Sequence, residues 1–535
     1  MAAGATKRKF EGGVSSWTKR TGAARGPRAE PHELCRSVAQ GKPCTRQASC
    51  HRLHDVAQFL AARAPDLDGV CPSFAKHGVC AFGVACRFVG SHLAPDGVSS
   101  LVEPRAVANP PAPTFVLTIE QQRAIERRHV KTPRTDAFWS VRDSPDTDVT
   151  ARLRAGEVKA VDFRGKTILA PLTTVGHMAF RRICKGFGAD VTVCEMALAH
   201  ELQHGNGAEW ALLKRHASED VFGVQLACGS PNIMAQAIEI MRDHVGVSCD
   251  YISLNAGCPL DMLCNHGGGA QLCCAPPRLR QMARSMVAVS DVPIEIKIRT
   301  GRVESEQIAH SYLTDVHSWG VSAVTLHGRS RRTRYTEPAD RDYMLQCAAV
   351  SSVPFIANGD VYSFEDAVEL WRPDSNVAGI MIGRAALIKP WIFQEIKERR
   401  HIDISANERL DTIRQFCHNG LELFGSDARG VEKTRTFLCE WLSFAHRYVP
   451  VGILERMPSR IHEKPAPWHG RNELETLLGS PAVADWIKIS AMFLGAPPVG
   501  FSFQPKHKSQ AYDTSDVIQH QHQQRGADSV DDVQG

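Results

Sequence analysis

The 535-residue chain has no long apolar run, and nothing in it approaches the roughly 18 consecutive apolar residues that crossing a bilayer requires. No membrane attachment is therefore expected. The first ten residues, MAAGATKRKF, carry charge but no apolar segment follows them, so no secretory signal is expected. Without an oxidising destination, the seventeen cysteines are read as thiols and metal ligands rather than as disulfides. A third absence concerns nucleotide binding. No Gly-x-Gly-x-x-Gly turn follows the first β-type run, which weakens the case for a doubly wound dinucleotide-binding sheet.

What is present is unevenly distributed. The net charge is only +5, yet residues 1–54 hold 11 Lys and Arg against 3 Asp and Glu, a surplus of +8. Such a surplus favours a polyanionic partner, because each cation near a phosphate releases condensed counterions. Residues 1–30 read as a disordered basic arm, with Lys7-Arg8-Lys9 as a weak nuclear signal; a cytoplasmic location, a nuclear one or both are expected. Residues 31–95 are dense in Cys and His. A linker over 96–160 follows, Pro-rich at 106–114. A barrel is expected over 161–400, a helical domain over 401–503 and a disordered tail over 504–535.

Two Cys/His sets stand in the front region. Cys35, Cys44, Cys50 and His54 have the intervals of a CCCH zinc finger. Cys71, Cys80 and Cys86 repeat the first two intervals, and His92 completes the set after five residues instead of three. Three thiolates and one imidazole fill a tetrahedral zinc shell, which makes these sites structural and the expected complement two Zn²⁺. Phe74, Lys76, Phe82, Arg87 and Phe88 interleave with the second set. Fingers of this class stack bases on aromatics and hold phosphates with cations, although Phe82 and Phe88 read first as core.

Between about 160 and 400 the pattern changes to eight β-type runs: Ile168–Thr174, Val191–Leu198, Val221–Cys228, Tyr251–Ala256, Ile294–Arg299, Ala323–Gly328, Pro354–Gly359 and Gly379–Ile382. Their starts lie about 23 to 43 residues apart, room for a helix each time, so the expected fold is α/β: a TIM (β/α)8 barrel. The runs end in polar or special residues, and in a TIM barrel those ends share one mouth where active sites sit. Asn358-Gly359-Asp360 and Gly383-Arg384 end the last two strands, where glycine lets backbone amides approach a phosphate and Arg384 adds charge. Lys297 and His327 point into the same mouth, consistent with a phosphorylated cofactor lying across it. Asn255-Ala-Gly-Cys258-Pro259 is the sharpest feature: a rigid turn presenting a thiol, either as nucleophile or as general acid.

Taken together, these strand ends resemble the tRNA dihydrouridine synthases. The resemblance rests on Leu169-Ala-Pro171-Leu172-Thr173, Gly223-Val-Gln225, Asn255-Ala-Gly-Cys258-Pro259, Lys297-Ile-Arg299, His327-Gly-Arg329, Asn358-Gly359-Asp360 and Gly379-Ile-Met-Ile-Gly383-Arg384. The paired fingers and the segments 430–435, 448–452 and 503–508 narrow it to the eukaryotic type acting on uridine 47. That resemblance implies FMN held by Pro171, Leu172, Thr173, Gln225, Lys297, His327, Asn358, Gly359, Asp360, Gly383 and Arg384. It further implies NADPH or NADH as reductant, hydride delivery to C6 of uracil, and Cys258 as the acid at C5. A tRNA substrate follows, with mRNA left open and no obligate protein partner evident. The helices beyond 401, with Lys433, Arg435 and Arg447 among Phe437, Trp441 and Phe444, resemble the family's RNA-holding domain. The segment Met262–Gly269 departs from relatives, which more often carry Lys or Tyr before the glycines. A flavin-dependent reductase of small pyrimidines, or an RNA-binding protein with an inactive barrel, are the rival readings; the first leaves the fingers and basic arm unexplained.

Overall fold

Eight short strands alternate with helices along the middle of the chain, and all of them run parallel. They are β1 (Lys166–Leu169), β2 (Val191–Val193), β3 (Val221–Ala227), β4 (Tyr251–Ala256), β5 (Ile294–Arg299), β6 (Ala323–His327), β7 (Phe355–Asn358) and β8 (Val377–Ile382). The computed structural model describes residues 33–46, 49–93, 117–140, 160–455, 463 and 465–506. The basic arm over 1–30, most of the linker over 96–160 and nearly all of the tail over 504–535 lie outside the described residues. Each strand pairs with its sequence neighbour, and β1 also pairs with β8 through Ile168 opposite Met381, so the sheet closes on itself. This is the TIM barrel that the strand spacing predicts. No helix among the described residues is long and apolar enough to cross a membrane.

Two runs differ in extent from the sequence pattern. The first stops at Leu169 because Pro171 has no N–H to give a ladder and Thr174 turns left-handed, φ 73°. The second breaks after Val193. Glu195 leaves the ladder to accept a hydrogen bond from the Thr174 amide at 2.8 Å, and only Ala197–Leu198 resumes pairing with β3. Both departures lie at the barrel mouth, where side chains are redirected from the sheet into the opening.

The barrel interior is filled from alternate positions. Ile168, Val191, Val193, Tyr251, Ala323, Ile356 and Met381 form one buried cluster, as a period-two strand with one face inward requires. Gly223 on β3 is part of this fit. A Cβ there would stand 2.4 Å from the Tyr251 ring, so the tyrosine occupies the volume that glycine leaves open. Beyond the barrel, helices Ala406–Phe424, Ala428–Ala445, Glu473–Leu478 and Val483–Leu494 form a helical part. Ser405 and Glu408 start its first helix with a reciprocal capping box.

Contacts divide the chain into two units: residues 1–106 with 426–428, and residues 107–425 with 429–535. In the first unit short helices Arg36–Ala39, Val56–Ala62 and Pro72–His77 surround a small apolar cluster of Leu34, Ala39 and Val84.

Candidate active site

The C-terminal ends of the barrel strands surround one open cavity of about 1000 Å³. The residues expected to hold the cofactor and the expected acid all line it: Pro171, Leu172, Thr173, Gln225, Cys258, Lys297, His327, Asn358, Gly359, Asp360, Gly383 and Arg384. The strands explain this convergence. Gln225 on β3 and Lys297 on β5 are inward positions one pleat from the top, His327 and Asn358 are the last residues of β6 and β7, and the others follow the last paired residue of their strands.

The thiol sits in a turn fixed from both sides. Asn255 Oδ1 accepts hydrogen bonds from the Cys258 amide at 2.8 Å and the Gly257 amide at 3.2 Å. Asn255 in turn donates to Gln225 Oε1 at 2.8 Å, and Gln225 donates to Ser253 Oγ at 3.1 Å. From β5, Arg299 Nε donates to the Gly257 carbonyl at 2.7 Å. The Ala270 amide donates to the Cys258 carbonyl at 2.8 Å. Gly269, at φ 52°, is required for that last contact, since a Cβ would fall 2.5 Å from the Cys258 carbonyl oxygen. Burial raises the Cys258 thiol above its ordinary range, and the charges of Arg299 and Lys297 offset this only in part. A thiol so placed keeps its proton at neutral pH and can give it up, which favours the acid over the thiolate nucleophile.

The wall beside this thiol, beginning at β5, is cationic. Lys297 Nζ donates to Asn358 Oδ1 at 3.1 Å. Burial, reinforced by the nearby Arg299, pushes Lys297 down to about 8. His327 is buried with Nδ1 lacking a hydrogen-bond partner, and burial together with four surrounding cations holds it neutral. Asp360 is the one carboxylate lining the cavity. Its backbone is left-handed, φ 51°, a conformation that costs a non-glycine residue about 1–3 kcal/mol. Arg384 Nη2 at 2.8 Å, Arg329 Nη2 at 2.6 Å and the Ala339 amide at 2.8 Å all donate to it and hold it there. These bonds place Asp360 as an organiser of the two arginines as well as a lining residue.

Five cavity residues escape the strand-end motifs, one of them Ala385 next to Arg384. Tyr335 lies in the long loop after β6, with the Arg384 guanidinium 4.2 Å from its ring centroid. Tyr362 follows Asp360 and presents a buried hydroxyl with no hydrogen-bond partner. Met196 comes from the broken second strand, and Val361 from the turn after β7. The two aromatics follow loop geometry, which strand spacing does not report; Met196 is the one that a closer reading of the β2 end could have found.

In the finger unit, Cys35, Cys44, Cys50 and His54 bring one ligand atom each to within 4.8 Å of one another, and so do Cys71, Cys80, Cys86 and His92. The longer spacing before His92 is taken up by the turn over Val89–Ser91, and the His92 ring is buried with Nε2 lacking a hydrogen-bond partner. Two expected nucleic-acid contacts are corrected by burial. Arg87 is buried and its Nε donates to the Pro65 carbonyl at 3.0 Å, so it holds the finger together. Arg435 in the helical part is wholly buried and donates to Ser490, Leu494 and Gly495 at 2.9 Å. Phe88, Trp441 and Phe444 are buried, in keeping with a core role. Lys433 is exposed.

A closed parallel barrel with a protonated thiol facing a cation-lined cavity defines a TIM-barrel enzyme. The profile of the dihydrouridine synthase family matches residues 168–438, and that of the DUS3L CCCH zinc finger domain matches residues 64–95. A human protein described as tRNA-dihydrouridine(47) synthase NAD(P)(+)-like is 44% identical over 90% of this chain and 82% of its own. An Arabidopsis thaliana protein of the same description is 35% identical over 90% of this chain and 86% of its own. The Cryptococcus neoformans tRNA-dihydrouridine(47) synthase is 48% identical over 67% of this chain and 51% of its own. The chain belongs to the dihydrouridine synthase family and is an oxidoreductase with a CCCH zinc-finger region.

Proposed function

We propose that the protein reduces uridine to 5,6-dihydrouridine in tRNA, at position 47, using FMN and NADPH or NADH. The observation that carries this reading is the single cavity that unites the phosphate- and ring-holding residues with a protonated Cys258. The names of the relatives support the substrate and its position. The donor set fits FMN: His327 offers an unpartnered ring nitrogen, and Lys297 and Arg384 offer charge within one open cavity. Pro171, Leu172, Thr173, Gln225, Lys297, His327, Asn358, Gly359, Asp360, Gly383 and Arg384 would hold it. When bound, FMN supplies the hydride for C6 of uracil.

The protein's own residues do the rest. Asn255 and Arg299 fix the turn so that the Cys258 thiol faces the cavity. Cys258 gives its proton to C5, and the raised thiol is protonated over the whole neutral range in which that step is needed. A uracil can reach such a cavity only when splayed out of the RNA stack. Two Zn²⁺ ions, one per finger, would complete the Cys/His sets and hold the fingers in shape for RNA.

The test is direct. Dihydrouridine is quantified in cellular RNA with and without the protein, and purified protein is assayed for bound flavin. Loss of dihydrouridine at position 47 with a yellow, FMN-bearing protein is expected. Unchanged dihydrouridine, or a folded protein that takes up no added FMN, contradicts the proposal.

A further inference from the structure

The floor of the cavity hides a charged residue that neither the cofactor-holding set nor the acid uses. β5 reads Ile294-Glu-Ile-Lys-Ile-Arg299, and a period of two puts Glu295, Lys297 and Arg299 on one face. Lys297 and Arg299 line the cavity, so that face points inward. Glu295 stands one pleat deeper, 1% exposed, in the barrel interior. A carboxyl is costly there unless something compensates it. Ser253 is its partner in register on β4, and Thr325 approaches from β6. The Ser253 and Thr325 hydroxyls lie close enough to favour its charge, yet neither Glu295 oxygen nor Thr325 Oγ1 makes a hydrogen bond of good geometry. Burial pushes the Glu295 carboxyl above its ordinary range; Ser253, Thr325 and the Lys297 charge oppose this, and of these Lys297 is the one ion.

Lys297 supplies the explanation. From its own strand, Arg299 opposes its charge while Glu295 supports it. The turn after β4 presents Cys258, and β6 presents His327, which burial keeps neutral. β7 presents the uncharged Asn358, to which Lys297 donates. Asp360, the carboxylate of the cavity wall, is bound by Arg329 and Arg384. Among the described residues, Glu295 is thus the carboxyl left to compensate Lys297.

We propose that Glu295 is a positioning residue of this site: an internal counter-ion that keeps Lys297 protonated and directed at the mouth. It touches neither substrate nor cofactor and acts through Lys297. The inference rests on the flavin reading above, because Lys297 is the residue expected to hold FMN. Removing the carboxylate without changing its shape should let Lys297 lose its proton at lower pH, and with it a charged contact to the cofactor.

Glu295→Gln keeps the volume and tests this in the full-length protein. FMN is removed, and its dissociation constant is measured by flavin fluorescence between about pH 6 and 10. In the parent, affinity should weaken through a step near the Lys297 value of about 8. In Glu295→Gln the step should move down by about one pH unit or more, the usual effect of one close charge. Affinity at the acidic end should stay within about twofold, since Lys297 is charged there in both proteins. A step at the parent's pH, or an equal loss at every pH, overturns the proposal and leaves Glu295 a packing residue. Lys297→Arg provides the second arm, because a guanidinium does not titrate in this range. It should abolish the step while FMN still binds, and a step persisting near the parent's pH in this variant overturns the proposal even if Glu295→Gln does not fold. Absence of FMN binding at any pH overturns the flavin reading and this inference together, whereas binding with an unmoved step overturns this inference alone.

Discussion

The barrel and the finger unit are built on opposite principles. The barrel buries a continuous interior and closes its sheet on itself. The finger unit has a small apolar interior, with Leu34, Ala39, Leu67, Val84 and Phe88 buried among its described residues, and two clusters of converging thiols and imidazoles. A core so small cannot offset the entropy of ordering its chain, so the Cys/His sets must supply the balance. Precision follows the same division. The thiol of Cys258 is located by strand ends and a fixed turn, whereas the ligand cysteines are located by loops that only their shared partner draws together.

Chelation should break this comparison most severely. Removing zinc from the full-length protein is expected to unfold the fingers, because metal binding supplies most of a finger's folding free energy, about 10 kcal/mol or more. The barrel should keep its far-ultraviolet signal and its bound flavin. Elemental analysis should return two zinc ions per chain, the number of Cys/His sets. Cooperative loss of both units on chelation would show that the barrel borrows its stability from the fingers.

Smaller, and confined to the barrel, is the effect of filling the space beside Tyr251. Gly223→Ala forces a Cβ against that ring and should cost about 1–3 kcal/mol, read as a lower melting temperature of the barrel with zinc content unchanged. No loss of stability would mean that the Tyr251 ring moves aside freely.

A third expectation concerns pH. His177 is buried among Phe416, Phe424 and Phe437, with neither ring nitrogen hydrogen-bonded. Burial, with the charges of Arg181 and Lys433, pushes it down to about 3. Its folded value lies below the unfolded one, so its contribution is fully present above about 6.5 and is lost as pH falls toward 3. His177→Phe should flatten the acid side of the barrel's stability profile. A parent and variant with the same acid limb would assign that limb to other groups.

The smallest effect expected is on RNA affinity. Lys433 is exposed at the helical part, and Lys433→Ala should weaken tRNA binding by about tenfold or less and reduce its salt dependence. An unaltered salt slope would remove Lys433 from the RNA-facing surface.

How much of this was legible beforehand follows from what each signal measures. Strand spacing reports connectivity, so the eight-stranded barrel and the residues at its strand ends could be read directly. Cysteine intervals report loop lengths, so both finger sets could be read, including His92 despite its longer interval. Burial is not carried by residue type. Arg87 and Arg435 look like phosphate contacts in sequence and are structural bonds in the fold. Glu295 escapes for the converse reason: alternation in β5 looks like an ordinary half-exposed strand until closure of the sheet turns that face inward. Tyr335 and Tyr362 reach the cavity from loops, whose paths no periodicity records.

The central claim is that Cys258 is the proton donor of a flavin-dependent reduction, and rapid-mixing kinetics of Cys258→Ala tests it most directly. The variant should bind FMN, and NADPH should reduce that flavin at the parent's rate, because this half-reaction involves no proton delivery to uracil. Reoxidation by tRNA should slow by about 10²–10⁴-fold, the usual worth of a positioned acid, with tRNA affinity little changed. Reoxidation at the parent's rate would show that the proton comes from another group and would contradict the account.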